Sequence, residues 1–152
     1  MNPQDVIDEG NKRLKEIFNK HKEFSKIEDI IALTENVADI DGETLSSSMS
    51  IMSAYMSYLA GIVPKYTSLA NSKYAYRKFS YAWEWNKLGD GFTGKAKDNE
   101  ALKRIEKEYI DGLIHQYIAD YLKNKYDSYS RHASILQSRL GYIRGEIFRA
   151  NT

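Results

Sequence analysis

From Thr44 to Phe148 apolar side chains recur at alternating three- and four-residue steps, with one proline and one glycine cluster as the only strong interruptions. That spacing stacks side chains on one face of a helix, whereas a strand needs alternation by twos. Met52, Tyr55, Leu59, Ile62, Tyr66 and Leu69 follow it, and Tyr76, Phe79 and Trp83 continue the same side. The spacing predicts a coiled-coil-like seam on one long helix over 44–88, with rings 76, 79 and 83 in the core. Pro64 lies inside this helix, and its missing N–H predicts a kink. Gly89-Asp90-Gly91-Phe92-Thr93-Gly94 ends the run, and a second long helix resumes near Asp98 and lasts to about Phe148. Its seam is Leu122, Tyr126, Tyr129, Ala133, Leu136, Leu140, Ile143 and Ile147. Two helices of roughly 45 to 50 residues, each about 65 to 75 Å long, joined by a short turn should fold back antiparallel. The expected fold class is all-α, a long helical hairpin.

Two shorter helices should precede it. Asn2 before Pro3 is a cap and first-turn signal, and Val6, Ile7, Leu14, Ile17 and Phe18 mark an amphipathic helix to about His21. Ser25-Lys26-Ile27-Glu28 reads as a capping box opening a second helix with Ile27, Ile30, Ile31 and Leu33 on its apolar side. A linker near 37–43 then divides an N-terminal segment, 1–43, from the hairpin domain, 44–152. A hairpin alone encloses little volume, so further copies of the chain are the natural source of buried area and a homo-oligomer is expected.

The composition removes several functions. The 152 residues contain no cysteine and three histidines, which leaves no disulfide framework and no thiolate metal site. His21, His115 and His132 are far apart without ligand spacing, so no metal or cofactor is expected. No apolar run approaches membrane-spanning length and no leader pattern opens the chain, which predicts a soluble cytoplasmic protein, in the host cytoplasm if phage-encoded. Gly89 through Lys95 keeps the GxxxxGK skeleton of a phosphate loop, but Ala96 replaces the magnesium-holding hydroxyl and a helix precedes it. A turn is the better reading. Carboxylate pairs such as Asp39/Asp41 and Glu106/Glu108 are two apart and diverge on a helix, and no nucleophile has a base at usable spacing, so an enzyme is not expected. Gly141-x-x-x-Gly145, ringed by Arg139, Arg144 and Glu146, predicts a close helix crossing.

Net charge of +1 conceals a division along the chain. Residues 1–43 hold 6 basic and 11 acidic groups, 44–95 hold 6 and 2, 96–121 hold 4 and 6, and 122–152 hold 6 and 2. Aromatic residues make up 12% of the chain, twelve of them Tyr. They concentrate in Lys73–Lys87, where six rings interleave with four cations and one acid. At 100° per residue Tyr74, Lys78, Tyr81 and Trp85 form a second stripe roughly opposite the seam, continued upstream by Met49, Met56, Ala60 and Val63. Bases stack on aromatic faces while cations hold a phosphate backbone, so this stripe with Arg77 suits a single strand of any sequence. The same stripe would also suit a subunit interface or the docked N-terminal helices.

The pattern over about 44–148 resembles the UvsY recombination mediators of tailed phages. The likeness rests on the basic, aromatic stretch Lys73-Tyr74-Ala75-Tyr76-Arg77-Lys78, the turn Gly89-Asp90-Gly91, the run from Asn99-Glu100 through Asp127, and the closing Gln137-Ser138-Arg139-Leu140-Gly141-Tyr142-Ile143-Arg144. The first 43 residues lie outside it. The resemblance implies a ring-forming, non-enzymatic protein that loads a RecA-type recombinase onto single-stranded DNA, with the recombinase and a single-strand-binding protein as partners. It places the DNA-contacting basic pair on Arg77 and Lys78, with Lys73 and Lys87 as neighbouring candidates. Together with the stripe, the expected nucleic-acid-binding residues are Lys73, Tyr74, Arg77, Lys78, Tyr81, Trp85 and Lys87. The alternative is a helical protein-interaction module, a phage-encoded inhibitor or assembly scaffold, that does not bind DNA.

Overall fold

The computed structural model describes residues 2–152. Five helices follow one another: α1 (Pro3–Lys20), α2 (Glu23–Leu33), α3 (Gly42–Lys87), α4 (Gly94–Arg104) and α5 (Glu106–Ala150). Short 3-10 turns at Val37–Asp39 and Gly89–Gly91 join α2 to α3 and α3 to α4, and no strand occurs among the described residues. The fold is all-α, as the spacing predicts. The Asn2 side chain accepts the Gln4 backbone N–H at 3.1 Å, capping α1 ahead of Pro3. Asp41 caps α3 by accepting the backbone N–H and the hydroxyl of Thr44, at 2.8 and 2.7 Å.

Three local expectations need correction. The Ser25 capping box does not form: α2 starts at Glu23, and the Ser25 hydroxyl donates to the Lys22 carbonyl at 3.1 Å. Lys22, at the N-cap position, already has helical φ and ψ, −63° and −17°, and makes no side-chain capping hydrogen bond. The helix after the glycine turn starts at Gly94 rather than near Asp98, and it is not continuous to Phe148. Gly89 and Gly94 take positive φ, 57° and 36°, which reverses the chain early. Ile105 then leaves helical geometry (φ −104°, ψ 17°) with its side chain buried, separating α4 from α5. Finally, the Gly141/Gly145 pair supports no close crossing, since a Cβ at either position would meet nothing within 4 Å. The close approach is at Gly10, where a Cβ would strike the Tyr117 ring.

Chain contacts divide the structure into two compact units. The second, Glu16–Val63 with Leu122–Thr152, holds every large side chain that is fully buried: Phe24, Ile27, Leu45, Met52, Leu59, Leu122 and Leu136. Phe24 packs edge-on against Phe18 at 5.0 Å and faces Tyr129 at 6.4 Å. Of the predicted α5 seam, Leu122, Tyr129, Leu136 and Leu140 are buried, Tyr126, Ala133 and Ile143 are half-buried, and only Ile147 is exposed. Several polar side chains in this unit are matched, although the buried Arg139 Nε has no hydrogen-bond partner. The Thr34 hydroxyl donates to the Ile30 carbonyl at 2.7 Å and accepts from His132 Nε2 at 2.8 Å. Lys125 pairs with Glu28.

Burial lowers the pKa of His132 below the ordinary 6.5, because a desolvated imidazolium is disfavoured. Its Nε2–H already serves Thr34, so a further proton goes to Nδ1 without a new partner. The unfolded chain then takes up this proton before the folded one does. Folding stability is therefore expected to fall as pH drops below about 6.5, the unfolded value. Urea titrations between pH 7 and 5 check this: His132→Gln should flatten the loss, and a slope identical to the parent's would refute the assignment.

The first unit comprises the chain up to Lys15 together with Pro64–Tyr121. Here α3 and α5 run antiparallel, with Lys73 beside Asp111 and Arg77 beside Tyr109. Its buried residues are smaller, among them Val6, Leu14, Ala70, Ala101, Ile105, Ile114 and Ala119. The Tyr117 hydroxyl donates to the Asn11 side chain at 2.8 Å and ties α5 to α1.

The phase of α3 in this unit is the main departure from expectation. The predicted core rings Tyr76, Phe79 and Trp83 are 58%, 64% and 55% exposed. Heptad steps from the buried Leu45, Met52 and Leu59 land on Tyr66, Lys73 and Ser80, and steps from Val63 land on Ala70, Arg77 and Glu84. All six of those positions are buried or half-buried. A straight helix drifts about 20° per heptad from such a repeat, so three steps leave these positions on roughly the same side of α3. The inward stripe of the first unit is consequently small and charged, and the rings a seam reading assigns to the core point away from it.

Candidate nucleic-acid interface

Residues 73–87 of α3 present two faces with different chemistry. The outer face carries Tyr76, Phe79 and Trp83. Phe79 and Trp83 lie nearly parallel, 21° between planes and 6.3 Å between centroids. Lys87 extends over Trp83 at 5.2 Å while its ammonium meets Glu84 at 3.4 Å. Glu84 is the only acid on α3 between Thr44 and Lys87, and it also receives Arg104 at 3.3 Å. Tyr76 borders a depression of about 430 Å³ that Lys73, Lys107 and Arg13 also line.

The other face holds most residues of the predicted stripe, and there they are engaged. The Tyr81 hydroxyl and the Trp85 indole N–H both donate to Asp98 Oδ1 of α4, at 2.8 and 2.9 Å. That hydrogen bond, with some burial and the carboxylate charge, raises the Tyr81 pKa and keeps the phenol a donor. Lys97, itself buried, sets its ammonium 3.6 Å from the centroid of the Trp85 ring and occupies that face. Tyr74 is exposed at its edge but carries Arg77 at 4.9 Å and Lys78 at 5.3 Å. Arg77 lies also against Tyr109 of α5, at 4.7 Å.

Lys73 is committed elsewhere. Its ammonium meets Asp111 at 2.7 Å, and Arg13 and His115 approach the same carboxylate at 3.6 and 3.4 Å. Burial alone would raise the Asp111 pKa, yet the Lys73 hydrogen bond and the charges of His115, Lys73 and Arg13 outweigh it and hold the carboxyl low. His115 is pushed down, chiefly by burial against the pull of Asp111.

Of the seven residues the sequence points to, Tyr74, Arg77 and Lys78 thus gather at one place, Tyr81 and Trp85 join at Asp98, and Lys73 and Lys87 are each ion-paired. Sequence reasoning missed Asp98, Lys107 and Tyr109, which come from α4 and the start of α5, and the contact of Lys97 with Trp85. The acidic, lysine-containing character of 96–121 was the only signal for them. Among the described residues no group of His, Asp and Glu is arranged to hold a metal ion, and no helix is long and apolar enough to cross a membrane. Comparison with protein-family models, with curated proteins and with solved structures finds no match to this chain.

Proposed function

We propose that this chain is a non-enzymatic binder of single-stranded DNA that assists recombination, acting as a homo-oligomer to help load a RecA-type recombinase on a strand coated by a single-strand-binding protein. The observation that carries the DNA part is the open ladder Tyr76, Phe79 and Trp83 on a face of α3 whose one acid, Glu84, is paired with Lys87 and Arg104. Large rings left in water at helical spacing offer stacking surfaces for successive bases, and stacking is indifferent to sequence. Lys87 and Lys107 flank the ladder and would hold the backbone. The recombination role rests on the resemblance to the UvsY mediators, and the DNA contact shifts from the Tyr74/Tyr81/Trp85 stripe to the opposite, outer face.

A salt titration tests the reading. Affinity for an oligothymidylate should fall as salt rises, and Lys87→Gln should make the log–log slope shallower by about 0.7, the loss of one phosphate contact on a single strand. Absence of binding at low salt, or binding indifferent to salt, would sink it. The rival reading, a helical protein-interaction module, is favoured by one observation, the apolar depressions around Leu102 and Tyr109.

A further inference from the structure

The groove between α3 and α4 in the first unit sets two cations that form no ion pair, Arg77 and Lys78, beside an apolar floor. It encloses about 550 Å³, with Arg77, Lys78 and Tyr81 on one wall and Leu102, Ile105 and Tyr109 forming the floor. The Arg77 guanidinium is held between the Tyr74 and Tyr109 rings, and neither Arg77 nor Lys78 has an ion pair or hydrogen-bonded side-chain partner among the described residues. Ring contact removes water from the flat faces of a guanidinium and leaves its N–H donors at the edge, which suits a carboxylate fork. Asp98 is the only acid lining the groove, and its Oδ1 already accepts two hydrogen bonds. The floor is open: Leu102 is 42% and Tyr109 39% exposed, and both also line a second depression of about 740 Å³ that reaches Ile7 of α1 and Leu113 of α5.

We infer that this groove docks an acidic peptide segment of a partner protein, its carboxylates on Arg77 and Lys78 and a bulky apolar side chain on Leu102 and Tyr109. A nucleic-acid strand fits less well. Cations already lie over Tyr74, Tyr109 and Trp85, and the floor is aliphatic beyond Tyr109, which leaves few open ring faces for bases. The inference does not depend on the DNA reading, which uses the other face of α3.

The test uses the full chain and four fluorescent probes: a synthetic peptide alternating Glu with Phe and Leu, the same peptide with Gln for Glu, a polyglutamate, and an oligothymidylate. The first peptide should bind, and the two control peptides should bind at least about tenfold more weakly. Arg77→Gln and, independently, the exposed Lys78→Glu should each weaken the first peptide by about tenfold or more, the loss expected for a charge-assisted contact. Leu102→Ser should weaken it while leaving oligothymidylate affinity unchanged. Phe79→Ala with Trp83→Ala should leave peptide affinity unchanged. Circular dichroism confirms that each variant is folded. The proposal is overturned if the mixed peptide binds no better than polyglutamate or the Gln peptide, or if Lys78→Glu and Leu102→Ser leave it untouched. It is equally overturned if Leu102→Ser and Arg77→Gln abolish oligothymidylate binding while no peptide binds, which would make the groove a nucleic-acid site.

Discussion

Replacing Phe79 and Trp83 together by Ala should lower affinity for an oligothymidylate by at least about 30-fold, since each base–ring stack contributes about 1 to 3 kcal/mol. Both rings are more than half exposed and pack mainly on each other, so the thermal midpoint should stay close to that of the parent protein. Fluorescence anisotropy at fixed low salt measures the first effect and calorimetry the second. Tyr74→Ala and Trp85→Phe make the informative contrast, because Tyr74 carries two cations and Trp85 is held by Asp98 and Lys97, so these rings should matter less. If the double variant binds as tightly as the parent, the outer ladder is not the DNA surface. If it instead loses several degrees of stability, the ladder is packed in solution by something the single chain does not contain.

The largest effect on folding is expected at Phe24. Its ring is 1% exposed, edge-on to Phe18, and turned toward Tyr129 of α5. Phe24→Ala removes the ring's transfer energy and leaves a cavity that α2, held by its own short helix, closes only in part. The cost should be about 3 to 5 kcal/mol in urea denaturation, against about 1 kcal/mol or less for Leu33→Ala on the open side of the same helix. A loss at Phe24 below about 1 kcal/mol would mean that the second unit is not organised around this ring.

Helix type and the extent of α3 were legible because they depend on local signals, whereas the break at Ile105 between α4 and α5 was not. The Asn2-Pro3 start, the turn near 37–43, the long α3 and the glycine reversal at 89–94 all follow from capping, backbone and periodicity rules that act within a few residues. The seam of α5 was legible for the same reason from Leu122 to Ile143, whereas Ile147, which the spacing also placed in it, is exposed. The phase of α3 was not, because two stripes of large side chains share that helix. Tyr55, Ile62, Leu69, Tyr76 and Trp83 are spaced by sevens as regularly as Leu45, Met52 and Leu59 are. Hydrophobicity favours the aromatic stripe over one that runs through Lys73, Arg77 and Glu84, and only the partners of those charges, Asp111, Tyr109 and Arg104, explain how they turn inward. Such partners lie 20 to 38 residues away in sequence and leave no mark on local spacing. The engagement of Tyr81 and Trp85 by Asp98 escaped notice for a related reason, since it depends on where Gly94 and Ile105 set α4.

The two indoles sit two residues apart on α3 in unlike surroundings. Trp83 is more than half exposed beside a parallel phenyl ring with the Lys87 ammonium at 5.2 Å, whereas Trp85 donates to a carboxylate and has the Lys97 ammonium close against its π cloud at 3.6 Å. Their excited states are therefore tuned differently, and single-tryptophan versions of the chain would emit as separate optical reporters, one for each side of the helix.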